Sequence, residues 1–156
     1  MAVLESLSSG LAGALALTTV HEIARRNLDD APRMDLLGQR GISRISEMAF
    51  DSQPSDEDLQ EMSLVGDIAA NSTYYSLVGA GPPTGAVVRG GLLGLAAGIG
   101  AVTLPGPLGL GSDPSNHSNA TRVMTVAWYT LGGLVAGSVY KMLACTKTEQ
   151  ADRLAC

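Results

Sequence analysis

The sequence predicts an all-α protein, a small polytopic integral membrane protein built as a bundle of four transmembrane helices. Three observations predict it. Only 16 % of the 156 residues are charged, against about a quarter in an ordinary soluble domain. Those charges are clumped: Leu7 to Thr19 carries none, and between Gly90 and Ala120 only Asp113 is charged. Charges are costly in hydrocarbon and collect outside it. Finally, glycines recur every fourth residue inside the later apolar stretches, a pattern that costs about 1 kcal/mol per residue in a soluble helix and lets helix backbones meet in lipid. The alternative consistent with the same observations is three spans plus one re-entrant or interfacial helix.

The first helix is expected over about 3–26. From Leu7 to Ile23 it is apolar for about 26 Å, just enough for a bilayer core of roughly 30 Å. The N-terminus carries Glu5 in place of a basic region, and no small-residue cleavage site follows, so this is read as a retained helix. Gly10, Ala14 and Thr18 form a small-residue stripe. Glu22 and Arg26 make an i,i+4 pair at the far end.

A polar connector, 27–55, follows. Pro32, Gly38 and Gly41 punctuate it, and Ile42, Ile45 and Ala49 repeat with helical spacing. The expectation is a short surface helix over about 42–50, lying on the membrane or on the bundle ends, with a partner-docking surface as the functional alternative.

The second long helix is expected over about 56–79. Ser55 can cap it, Asp58 can close the capping box, and the acidic first turn suits the helix dipole. It is long enough to span, yet Ser63, Asp67, Asn71 and Tyr74 or Tyr75 form a polar stripe along it. A carboxyl group inside an apolar stretch is a functional hypothesis by default. The candidate intramembrane site is therefore Asp67, Asn71, Ser63, Tyr74 and Tyr75. The structural reading of the same stripe is interhelical glue, satisfied by hydroxyls such as Thr18, Thr125 and Thr130.

Pro82 and Pro83 stop that helix. The next is expected over about 85–104, with Arg89 near enough to the end to snorkel to the headgroups. Gly90, Gly94 and Gly98 make two consecutive GxxxG steps. A glycine- and proline-rich loop leads to the last helix, about 120–144, with Asn119 as its cap. Trp128, Tyr129 and Tyr140 fall where interface aromatics belong. Gly133 and Gly137 repeat the GxxxG spacing, so the last two helices are expected to pack glycine face to glycine face, or one face to dimerise.

The positive-inside rule favours three spans, whereas helix length and packing favour four. Four spans put the arginine-rich connector opposite Lys141, Lys147 and Arg153. Three spans put all of these on one side and the Pro105 to Asn119 loop, which has no lysine or arginine, on the other.

A net charge of −5 without a basic run excludes a nucleic-acid face. Cys145 and Cys156 form no metal framework, and no metal site or cofactor is expected. His21 is the only residue that could offer an axial nitrogen to a haem, and His21-Glu22 lacks the second histidine of a zinc protease. The composition thus points to a non-enzymatic, multi-pass protein of a cell membrane, read as a bacterial inner membrane. Its expected role is an accessory or structural subunit of a membrane complex, or a homo-oligomeric scaffold. Its expected partners are lipids, other membrane subunits or copies of itself. The alternative is an oligomeric channel or transporter using the Asp67–Asn71 stripe.

Overall fold

The computed structural model describes residues 2–154, with side chains described for residues 3–146. Cys156 lies outside them. The described residues are helical throughout their regular structure, with no strand. The helices are α1 (Ala2–Asn27), α2 (Met34–Phe50), α3 (Asp56–Tyr75), α4 (Ala86–Thr103), α5 (Asp113–Asn116) and α6 (Asn119–Leu154). Short 3-10 turns, Ser76–Gly79 and Pro83–Gly85, join α3 to α4.

Three helical stretches are long and apolar enough to cross a membrane: Val3–Asn27, Pro83–Thr103 and Asn119–Thr146. The sequence predicts a fourth in α3, but Glu61, Asp67, Asn71 and their polar neighbours keep α3 out of that set. The three apolar helices hide small residues and display large ones. Leu4, Leu7, Leu11 and Leu15 of α1, Val88, Leu92, Leu95 and Ile99 of α4, and Val123, Leu131 and Leu134 of α6 are all exposed. A water-soluble bundle would bury such residues, whereas hydrocarbon is their natural contact.

The long helices pack antiparallel in the order α3–α1–α6–α4, and α4 with α6 is the most extensive pair. Its basis is the absence of side chains. A Cβ on Gly90 would fall on the carbonyl oxygen of Gly133, one on Gly94 against Tyr129 and Thr130 backbone, and one on Gly98 against Val126 Cα. Gly137 meets the Ala86 carbonyl in the same way. Both glycine faces are thereby used within one chain. Gly13 of α1 meets Gly132 and Ala136 of α6, and Gly10 meets Ser72 and Ser76 where α3 ends.

Leu17, Tyr75, Val78, Ala86, Tyr129, Ala136 and Tyr140 form the core. Tyr129 and Tyr140 are therefore interior residues and not the interface aromatics their sequence positions suggest. The Tyr75 hydroxyl donates to the Tyr129 carbonyl at 2.7 Å, and the Tyr74 hydroxyl to the Leu93 carbonyl at 3.0 Å. Those two bonds tie α3 to α6 and to α4.

The helix starts follow local chemistry. Ser55 Oγ accepts from the Asp58 amide at 3.2 Å and donates to its carboxylate at 2.6 Å, so the cap forms but the acid meets the Ser55 hydroxyl and not the backbone amide a capping box uses. At α6 the cap is Ser118, which accepts from the Thr121 amide at 3.1 Å; Asn119, expected as the cap, is already helical. Helix α2 begins at Met34, well before the expected 42. Gly38 reads as a break in the sequence, but it is a contact point: a side chain there would collide with Ser63 Oγ of α3.

At the α2 end of the bundle the connector and the second loop are fastened together. Arg40 donates to the Leu110 carbonyl at 2.8 Å and Arg44 to that of Leu108 at 3.1 Å. The Arg33 amide donates to the Pro114 carbonyl at 2.7 Å, and Thr121 Oγ1 to that of Asp30 at 2.9 Å. The loop can present these carbonyls because Gly109 and Gly111 take positive φ, +72° and +80°, a conformation that side chains resist.

Candidate functional site

A cavity of about 560 Å³ lies between α1 and α3 at the connector end of the bundle. Antiparallel packing of the two helices sets its wall. Thr18, His21, Glu22 and Arg25 recur on one face of α1, opposite Ser63, Leu64, Asp67 and Ile68 on α3. The connector closes the end, where Pro32, Met34 and Asp35 reach over the gap.

Asp67 sits in the wall, accepting from Asn71 Nδ2 at 2.9 Å and from Thr18 Oγ1 at a long 3.4 Å. The sequence-predicted residues therefore divide. Ser63 and Asp67 line the cavity, while Asn71 supports Asp67 from behind. Tyr74 and Tyr75 do not join them, because their hydroxyls are engaged by α4 and α6. Thr125 and Thr130 also stay away, each donating to a carbonyl four residues back in its own helix. Of the hydroxyls that could satisfy the stripe, only Thr18 meets Asp67.

His21 is wedged against α6, its ring 5.2 Å from that of Trp128 and 5.8 Å from that of Tyr129. Its Nε2 is buried and has no hydrogen-bond partner among the described residues. An unpaired buried nitrogen costs about 1–3 kcal/mol. These two α6 rings leave His21 packed in the bundle with its flank on the cavity.

The remaining charges of the wall are paired. Glu22 bridges Arg25 at 2.8 Å and Arg26 at 2.6 Å. Asp35 takes the Arg33 guanidinium at 2.8 Å. Partial burial pushes the Asp35 carboxyl up, but the hydrogen bonds and charge of Arg33 outweigh it, so the group lies below its ordinary value. The Ser63 hydroxyl donates to the Asp35 carbonyl at 3.2 Å, fixing the start of α2 over the cavity.

From α1 the sequence offered Thr18, as a partner for the stripe, and His21, as the one candidate haem ligand; it did not bring Glu22, Arg25 or the connector cover into this wall. The i,i+3 and i,i+4 spacing of Thr18, His21, Glu22 and Arg25 was the available signal, since it places all four on one helical face. The helix-packing glycines Gly90, Gly94, Gly98, Gly133 and Gly137 lie away from the cavity, in the α4–α6 seam. Comparison with protein-family models, curated proteins and solved structures finds no match to the chain.

Proposed function

We propose that the protein is a non-enzymatic, four-span membrane protein that binds a small ligand in the α1–α3 cavity. The observation that carries this reading is the cavity itself, of a size typical for small-molecule sites, with the Asp67 carboxyl in its wall.

The fourth span is α3. Its 20 residues reach about 30 Å, and together with the 3-10 turn Ser76–Gly79 it runs alongside α1, from Asp67 beside Thr18 to Gly79 beside Ser6. The connector and the Pro105 to Asn119 loop are hydrogen bonded to each other, which supports one side of the membrane for both. The three-span alternative needs them on opposite sides. To test this, Ser52→Cys and Asp113→Cys are introduced singly into a chain with Cys145 and Cys156 changed to serine. A membrane-impermeant maleimide is expected to label both variants from the same side of sealed vesicles. Labelling from opposite sides would restore the three-span topology.

Binding is tested by purifying the protein from its own membrane in a mild detergent and weighing it by native mass spectrometry. The expected result is a small-molecule adduct that Leu64→Trp, which fills the cavity, removes. A wild-type protein with no adduct, or one that Leu64→Trp leaves in place, would count against the reading. A second reading, an accessory subunit in a larger membrane complex, is favoured by one observation: α2 displays Ile45, Met48 and Phe50 to the outside. Stoichiometric co-purifying polypeptides in the same experiment would favour it.

A further inference from the structure

We propose that the α1–α3 cavity selects an organic cation, an ammonium group carried on an apolar body; this rests on the cavity being a binding site, as argued above. The argument is one of charge accounting on the wall. Glu22 is neutralised by Arg25 and Arg26, and Asp35 by Arg33. Asp67 is met only by neutral groups, the Thr18 hydroxyl and the Asn71 amide. It is the one wall carboxyl without a cationic partner among the described residues. A carboxylate between two helices in an apolar slab is stabilised most by an opposite charge brought to it.

The rest of the wall says what should carry that charge. A bare divalent cation needs several oxygen ligands, and no group of three or more His, Cys, Asp or Glu side chains gathers among the described residues. The space, about 560 Å³, is also far larger than an ion. Leu15, Ile23, Pro32, Met34, Leu64 and Ile68 supply the apolar wall against which a hydrocarbon body would lie. An anion is disfavoured, because Arg25, the cationic group of the wall, already holds Glu22. The cation could come from an amine-bearing lipid or from a soluble amphipathic amine, since both present the same head to Asp67.

The test uses octylamine, octanol and octanoate, which share a chain and differ in the head. Each is titrated at neutral pH against the purified protein in dodecyl maltoside, reading the thermal unfolding midpoint. Octylamine is expected to raise the midpoint, to bind at least about tenfold more tightly than the other two, and to lose that advantage in Asp67→Asn. A charge-assisted hydrogen bond is worth enough for such a ratio. Equal effects of octylamine and octanol, or a preference for octanoate, would overturn the cation assignment while leaving the cavity a binding site. If no probe binds and no native adduct is present, the binding reading fails as well. Should Asp67→Asn not fold, the ranking of the three probes on the wild-type protein decides alone. Mass spectrometry of the native adduct separates the sources, an amine lipid or a smaller soluble amine.

Discussion

Gly133→Ala is expected to lower stability by about 3 kcal/mol, the upper end of the usual cost of forcing one methyl group into a packed interior. The neighbour it would strike is the Gly90 carbonyl oxygen, and behind that the Gly94 amide, both backbone atoms of α4. Backbone in a helix cannot rotate away as a side-chain tip can, so the two helices must separate along the whole seam. Gly90→Ala and Gly94→Ala strike backbone from the other side and should behave alike. The contrast comes from Gly41 and Gly66. Each lies within a helix, and a Cβ at either has nothing within 4 Å. Gly66→Ala and Gly41→Ala should therefore raise stability by about 0.5–1 kcal/mol through helix propensity and a less free unfolded chain. Unfolding midpoints in mixed micelles of dodecyl maltoside and dodecyl sulfate read all five variants. Equal effects at Gly133 and Gly66 would show that the α4–α6 seam is looser than its geometry.

The same glycines show what is legible in a sequence of this kind. A GxxxG stripe is a local pattern, and Gly90, Gly94 and Gly98 declare a close helix approach before any partner is known. The partner is not local. That α6 uses Gly133 and Gly137 against α4 and Gly132 against α1 follows from which helices lie beside it. The polar stripe of α3 divides for a similar reason. Asp67 and the two tyrosines share a helix, but α3 rotates between three neighbours along its length. The tyrosine hydroxyls end against α6 and α4, while Asp67 faces α1.

The connector was the least legible part. Its residues look like a loop with a short amphipathic piece, because Gly38 and Gly41 weaken the helical pattern. Gly38 is needed where α2 crosses Ser63, and Gly41 has no such neighbour. Its arginines read as solvated charges or topology signals, whereas Arg40 and Arg44 satisfy carbonyls of a loop 70 and 64 positions further along the chain. No spacing rule anticipates a bond of that kind. The cavity inherits the difficulty, since Pro32, Met34 and Asp35 enter its wall only once the connector has folded back.

Arg89→Ala is expected to destabilise the protein by about 3 kcal/mol, in the range for losing hydrogen bonds made by a charged donor. An arginine near the end of a spanning helix is expected to reach outward to the headgroups. In the structure it turns back over the α3–α4 junction. Its Nε and Nη2 donate to the Val78 carbonyl at 3.0 and 2.6 Å, and Nη2 also reaches the carbonyls of Gly81 and Pro82 at 3.0 and 3.1 Å. The physical need is plain. The 3-10 turns and the Pro82-Pro83 pair leave the Val78 and Gly81 carbonyls without a helical amide beside the membrane, since proline supplies none to meet them, while the Pro82 carbonyl also accepts from the Gly85 amide at 3.2 Å. A planar guanidinium can serve several of them at once, where an ammonium acts as a point charge. Arg89→Lys should therefore recover less than half of the loss. Gly81, whose Cβ would press on the guanidinium, gives an independent check: Gly81→Val should displace the arginine and cost stability without removing it. If Arg89→Ala unfolds at the wild-type midpoint in the same micelles, the guanidinium belongs to the headgroups and the turn is held by other means.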